Sequence, residues 1–518
     1  MRLYKHLIIF TLLISIFLNT QAQTDTVHVA IAKPEPKREF RGVWVATVVN
    51  IDWPTNIHAS PDKQKKELLD ILDADQEAGI NAIILQVRPA ADAFYAKSLE
   101  PWSKWLTGKQ GQAPGPLYDP LEFAITEAHK RGMELHAWFN PYRATFDSNF
   151  RSLSPNHITN LQPSWFFTYG GIKLFNPGIP EVREYIVKVI LNVVDNYDID
   201  GVHMDDYFYP YKIEGQKIND EQTFKAYAGN FTNIDDWRRN NVDLLIKMLN
   251  DSIHEHNPYV KFGVSPFGVW ANKSHNPEGS DTHALETYYE LYADARKWMK
   301  EGWVDYVVPQ LYRSINDRLM DYNKLVDWWS DNTYGRHLYI GQAPYRAFEP
   351  RTLAFHNPAE IPNQIKYLRN NPRVEGSVFF SNNSLIRNPL GLTDSLRTNY
   401  YKYPALPPAM LWLDSIAPNA PKNLTLKATG NGVKLKWMTP DTAKDEEPVY
   451  GYVVYRFLGT EKVNLADPKY IIHIQYTADT EYDDRTAQRG KTYLYVVTAL
   501  DRMKNESDPT PTIAVTTN

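Results

Sequence analysis

The sequence predicts a (β/α)8 barrel followed by a small all-β sandwich, and three observations carry that prediction. Short apolar strands alternate with segments of helical periodicity across residues 39–405, and each strand ends in polar or aromatic residues. Past residue 420 the helical periodicity stops and strands follow one another directly. Eight strand–helix units in roughly 360 residues fit a closed barrel with long loops. A doubly wound open sheet would call for a glycine-rich phosphate turn after the first strand, and none follows Phe40 to Val49.

The chain begins with a short basic start (Met1, Arg2, Lys5), an apolar run from Leu7 to Leu18, and small residues in Thr20-Gln21-Ala22. This is the pattern of a signal peptide over residues 1–22, cleaved before Gln23, with a polar spacer over 23–38. The apolar run is shorter than the roughly 20 residues a bilayer span requires, so no integral span is expected in the mature chain. With no Cys there is no disulfide, thiolate nucleophile or lipid-anchored cysteine. Export to a bacterial periplasm or beyond suits such a chain, whose stability must come from its core.

The expected strands are Phe40 to Val49, Ala82 to Arg88, Leu135 to Asn140, Gly201 to Asp205, Lys261 to Pro266, Tyr306 to Tyr312, Leu338 to Gln342 and Ser377 to Ser381. Between them, helical spacing marks Lys63 to Ala78, Pro120 to Arg131, Glu181 to Asn196, Asp235 to His254 and Tyr288 to Lys300. Ser60-Pro61 and Asp119-Pro120 each put a capping residue before proline at the first helical position.

A barrel strand turns one set of side chains toward the helices and the other into the interior. In the fourth strand Val202 and Met204 face out, leaving His203 and Asp205 inside; in the third, His136, Trp138 and Asn140 face in. The same sorting nominates Gln86, Arg88, Ser265, Gln310, Tyr312, Gln342 and Ser381. Barrel interiors are normally filled by branched aliphatics, so this many inward polar groups at the C-terminal strand ends mark a solvated site.

Asp205 is the expected catalytic carboxylate, with His203 one layer below to orient it. Asp206 joins the site only if the chain has turned by then, because neighbours on a strand point opposite ways. Arg88, Asn140 and Arg143 are expected to position substrate. Trp138, Trp270, Tyr207 and Tyr209 are candidate sugar platforms in a chain holding 14 Trp and 33 Tyr. His136, His203 and Asp205 could be read as metal ligands, but without a local His-x-x-x-His spacing the expectation is no metal and no cofactor. A net charge of −5 gives no basic patch on the scale that nucleic acid requires.

Six runs together resemble a known family: Arg41-Gly42-Val43-Trp44, Gln86-Val87-Arg88-Pro89, His136 through Arg143, Asp200 through Tyr207, Gly263 through Gly268, and Pro309-Gln310-Leu311-Tyr312. In this order, from about Glu39 to about Leu396, they are similar to the glycosyl-hydrolase-like 10 family. The resemblance implies a barrel glycosidase of bacterial envelopes, acting for some members on peptidoglycan glycan strands. The sequence departs from true family 10 glycosidases, whose paired glutamates have no counterpart at Asp205-Asp206 or at Gly341-Gln342-Ala343. A second carboxylate could come from Asp52, Asp92 or Glu349. Alternatively an N-acetyl group of the sugar could act as nucleophile, with Asp205 and Asp206 dividing the remaining work.

Prolines 404, 407, 408, 418 and 421 mark a linker over residues 406–420, and residues 421–518 resemble a fibronectin type III sandwich. The sequence thus reads as an exported glycoside hydrolase cleaving a bacterial polysaccharide. Its alternatives are a non-catalytic carbohydrate-binding barrel and a metal-dependent polysaccharide deacetylase.

Overall fold

The structure, a computed structural model, describes residues 35–517. The expected signal peptide, its cleavage point before Gln23 and most of the expected spacer lie outside the described residues.

Eight parallel strands close into a barrel: β1 (Phe40–Val45), β2 (Ala82–Arg88), β3 (Glu134–Phe139), β4 (Gly201–Met204), β5 (Lys261–Val264), β6 (Tyr306–Val307), β7 (His337–Gln342) and β8 (Gly376–Phe379), with β8 returning to β1. The main helices between and after them are α1 (Pro61–Glu77), α2 (Pro120–Lys130), α3 (Pro180–Asn196), α4 (Ile234–His256), α5 (Ala295–Lys300), α6 (Tyr322–Asp331), α7 (Glu360–Asn370) and α8 (Asn382–Ile386). Ser60 caps α1 by accepting from the Lys63 amide, and Asp119 caps α2 by accepting from the amides of Leu121 and Glu122. The helix expected over Tyr288 to Lys300 is broken into Thr287–Glu290 and α5, with Tyr292 at φ 54° between the pieces.

Several strands end earlier than expected because the chain bends away at the C-terminal rim. β6 pairs as a strand only at Tyr306–Val307, and beyond it Gln310 makes single bridges to Phe267 and Gly341. Those bends form the site described below.

Inside, Phe40, Trp44, Ala82, Ile84, Tyr306, Tyr339 and Val378 pack along the axis, while Val43, Val45, Leu135, Ala137, Val202 and Met204 face the helices. The Phe40 and Tyr339 rings stack with centroids 4.0 Å apart. Two glycines make room for rings: a Cβ on Gly263 would stand 2.1 Å from the Tyr306 ring, and one on Gly201 2.5 Å from His136.

The C-terminal residues form two antiparallel sheets. Their strands are β9 (Lys422–Thr429), β10 (Gly432–Met438), β11 (Gly451–Leu458), β12 (Ile471–Gln475), β13 (Glu481–Asp484), β14 (Thr492–Leu500) and β15 (Ile513–Thr516), ordered β9-β10-β13 and β12-β11-β14-β15. Leu435, Trp437, Tyr452, Val454, Tyr495 and Val497 share one core cluster. The other face of β11 and β14 is buried too, as Val453, Tyr455 and Val496 pack in a cluster with Leu406. That second cover explains why β11 reads as a continuous apolar run.

The sandwich closes the N-terminal end of the barrel. In the turn after β14, Met503 joins the barrel's interior cluster and Lys504, in left-handed conformation at φ 64°, is fully buried. Its ammonium lies 3.2 Å from Glu134 and 3.2 Å from Asp200. Lys261 also donates to Glu134, and Asp200 receives His129 at 2.8 Å and the Tyr450 hydroxyl at 3.0 Å. Burial works to raise the Glu134 carboxyl, but Lys261 and Lys504 outweigh it and hold it at about 2. The segment expected as a linker is itself packed: Leu406 exchanges backbone hydrogen bonds with Lys37 and Glu39, Met410 is buried, and Trp412 donates to Asp305 at 2.8 Å.

Candidate active site

At the opposite, C-terminal end the loops surround a cleft of about 370 Å³. Asp205 and Asp206 both line it, because β4 ends at Met204 and the chain turns at once. Asp205 Oδ2 accepts from the Trp138 indole at 3.2 Å and from the Asn140 amide, and its Oδ1 accepts from the Tyr207 backbone at 3.2 Å. Asp206 accepts from the Tyr211 hydroxyl on one oxygen and from Gln310 at 3.1 Å on the other.

The donors are themselves held. Gln86 accepts the backbone amides of Thr47 and Val48 at 3.0 and 2.9 Å and donates to Asn140 Oδ1 at 2.6 Å. Asn140 therefore presents its NH2 to Asp205 in a fixed sense. Gln310 is steadied by the Ser265 carbonyl at 3.0 Å.

Burial, then the neighbouring Asp206 charge, push the Asp205 carboxyl up to about 7, against a smaller pull from Arg143. Burial also raises Asp206, with Tyr211 and Gln310 opposing. Asp205 is therefore the group placed to act as an acid near neutrality, beside a second raised carboxyl.

Below the cleft a hydrogen-bonded column runs down the barrel axis. The Trp44 indole, which can only donate, points at His203 Nε2 at 3.2 Å, so the His203 proton sits on Nδ1 and goes to the Tyr306 oxygen at 3.1 Å. Tyr306 then donates to His136 Nδ1 at 2.8 Å, and His136 Nε2 donates to Glu134 at 3.0 Å. The Ser265 hydroxyl lies 3.1 Å from His203 Nε2. Burial holds His203 well below the ordinary histidine range, so it is neutral.

Of the residues nominated from sequence, the cleft brings together Asp205, Asp206, Trp138, Asn140, Arg143, Tyr207, Gln310 and Tyr312, with Gln86 and Ser265. Arg143 lies over the Tyr207 ring at 4.4 Å. Others stand elsewhere. His203 and His136 lie in the column beneath, both bonded to Tyr306, so neither orients Asp205 and the three do not converge on a metal.

A bulge between Gln86 and Arg88 turns Arg88 outward, where it makes a bidentate ion pair with Glu100 and donates to the Asn140 and Pro141 carbonyls. Gln342 shares the outward parity of Ile340 and donates to Tyr322 on α6 at 2.7 Å. Ser381 likewise follows Phe379 outward and donates to Asp52 at 2.7 Å. Trp270 packs on Trp328 and donates to Asp294, and Tyr209 is buried against Tyr292.

None of the three alternative second carboxylates lines the cleft. Asp52 ties the β1 and β8 loops through the amides of Ala46 and Asn383, Asp92 is buried with Gln110, and Glu349 pairs with Arg346.

Trp44, Phe146, Tyr211 and Phe380 line the cleft and were not nominated. Trp44 had a signal in its parity with Phe40 on the first strand. Tyr211 lay one residue past the aromatic run that ends at Pro210.

A closed barrel whose C-terminal face holds an acid–carboxylate pair among aromatic walls defines a glycoside-hydrolase type of site. Residues 39–355 match the glycosyl hydrolase-like 10 family, and the chain belongs to it. Glycosyl hydrolase YngK of Bacillus subtilis (strain 168) is 45% identical over 513 residues, covering 98% of this chain and 97% of that protein. Glycosyl hydrolase DigH of Escherichia coli (strain K12) is 38% identical over 369 residues, covering 67% of this chain and 83% of that protein. Among solved structures, the PgaB (BpsB) glycoside hydrolase domain from Bordetella bronchiseptica is 11% identical, with a TM-score of 0.45, and covers 70% of this chain and 98% of that one. By this kinship the chain is a glycoside hydrolase. No helix among the described residues is long and apolar enough to cross a membrane.

Proposed function

We propose that this enzyme cleaves an N-acetylated glycan of the bacterial envelope, peptidoglycan glycan strands being favoured, and that the sugar's own acetamido group is the nucleophile. One observation carries the reading: among the described residues lining the cleft, the carboxylates are Asp205 and Asp206, neighbours in sequence. Inverting enzymes separate their carboxyls by about 6.5–9.5 Å across the sugar, and retaining ones place a second carboxylate under the anomeric carbon. Two side chains from adjacent residues approach from the same wall, which suits an acid and an amide-orienting partner.

Asp205 then gives its proton to the glycosidic oxygen as the bond to C1 breaks, while the acetamido oxygen bonds to C1. Asp206, fixed by Tyr211 and Gln310, accepts the acetamido N–H and steadies the positive charge of the cyclised intermediate. The Asp205 carboxylate takes a proton from water, whose oxygen attacks C1 and reopens the ring, so the anomeric configuration is retained.

The basic, apolar and small-residue stretches at the N-terminus support export to the periplasm or beyond. Seven strands in sheets of three and four, with Trp437 in their core, support a fibronectin type III-like reading of the C-terminal part.

The test is digestion of defined N-acetylated glycan oligomers with the product anomer recorded by NMR. Shortened chains with retained configuration are expected. Inverted product would remove the acetamido route, and chains left at full length would remove the substrate.

A further inference from the structure

Away from the cleft, carboxylates converge where the segment after the barrel, the sandwich and its plugging turn meet. Asp414 belongs to the segment 406–420, and Asp445 and Glu447 to the loop joining β10 to β11. Each offers one carboxylate oxygen, and the three oxygens lie within 4.8 Å of one another. A fourth acid, Asp501, opens the turn that carries Met503 and Lys504 into the barrel. It adds to the negative field at Glu447 and feels that of Asp414.

Asp414 Oδ1 accepts the Ile416 amide at 3.0 Å, while in Asp445, Glu447 and Asp501 the hydrogen bonds occupy one oxygen and leave the other bare. Glu447 Oε1 accepts the Arg502 amide at 2.9 Å, Asp445 Oδ1 the Glu447 amide at 3.2 Å, and Asp501 Oδ1 the Asn505 amide at 2.8 Å. Asp445 Oδ2, Glu447 Oε2 and Asp501 Oδ2 are buried without a hydrogen-bond partner among the described residues. Glu447 is only 7% exposed and Asp501 2%. Asn505 contributes a neutral amide, donating to the Asp414 carbonyl at 3.1 Å and reaching its carboxylate at 3.5 Å.

Several other buried acids have cations: Glu100 has Arg88, Glu39 has Arg41 and Arg369, and Glu134 has Lys261 and Lys504. Among the described residues no lysine, arginine or histidine forms an ion pair with Asp414, Asp445, Glu447 or Asp501. A bare buried carboxylate oxygen is costly, and several sharing one pocket are more so.

The donor set is all oxygen and all anionic, the chemistry of a hard divalent cation. Oxygens bound to one calcium ion at about 2.4 Å stand at most about 4.8 Å apart, and these three lie within that limit. We propose that Asp414, Asp445 and Glu447, with Asp501 behind them, bind a calcium ion that clamps the post-barrel segment and the sandwich loop to the base of the plugging turn.

The experiment uses the full mature chain, stripped with EDTA and dialysed, with thermal melting and calorimetric titration against calcium chloride. Millimolar calcium should raise Tm with a single site per chain. Glu447→Gln and Asp501→Asn should fold and lose the response, while Asp205→Asn, in the distant cleft, should keep it. A wild-type Tm unmoved by millimolar calcium, with no heat of binding, would overturn the proposal and leave protons as the only neutralising partners. A calcium response that survives Glu447→Gln would overturn it too, since the ion would then sit elsewhere.

Discussion

Glu134 at the N-terminal end of the barrel and Asp205 at the C-terminal end are both almost wholly buried, yet one is held at about 2 and the other at about 7. Burial pushes each upward. At the closed end Lys261 and Lys504 reverse the push; at the open end Asp205 has an indole, an amide and a backbone N–H for partners and a second carboxylate beside it. The difference teaches that depth alone does not set the charge of an acid in this barrel. A cation brought in by the sandwich makes a structural anion, and neutral donors leave an acid that can deliver its proton at neutral pH.

The contrast can be broken first at the open end. Asp205→Asn should lower kcat about 10³-fold on glycan, the scale of a lost general acid, while Tm and glycan affinity stay near wild type. A variant within tenfold of wild type would move the chemistry away from this residue.

At the closed end, Lys504→Met leaves Glu134 and Asp200 short of their shared cation. It should cost about 3 kcal/mol in a urea melt, the scale of a broken buried ion pair. Tyr211→Phe removes a hydroxyl donor from Asp206 and should lower kcat about tenfold with little change in stability.

A pH series sharpens the comparison. Asp205 has a raised folded-state pKa, so the folded chain binds more protons than the unfolded one between about 4 and about 7, and this group's contribution to stability falls as pH rises through that window. Asp52, raised by burial to about 6, has the same sign. Glu134 has the opposite sign: its contribution is present above about 4.3 and fades as pH falls through about 2. Urea melts of wild type and Asp205→Asn from pH 4 to 8 should show the substitution flattening the alkaline decline. In the wild type, kcat should fall above about pH 7 as Asp205 loses its proton.

Much of this architecture was legible because barrel strands obey a period of two. Val202 and Met204 outside with His203 and Asp205 inside, and His136, Trp138 and Asn140 inward, all follow from that rule alone. Arg88 escaped it because a bulge adds one residue, which no composition signal announces. Gln342 and Ser381 were misplaced for a simpler reason: each shares the parity of an outward neighbour, Ile340 and Phe379. Asp206 could not be assigned from sequence because its direction depends on where β4 stops. The histidines read as site residues because inward and polar describe a column's members as well as a cleft's. The role of Lys504 was illegible, since nothing local connects a turn in the sandwich with two acids more than 300 residues earlier.

That separation bears on how the protein is made. A ribosome releases Glu134 and Asp200 long before Lys504, so a nascent barrel holds these acids with Lys261 and His129 alone until nearly the whole chain has been synthesised. A chain cut short before residue 504 should therefore be less stable in a urea melt, however complete its eight strands. The last part of the chain thus completes the neutralisation of the barrel's base.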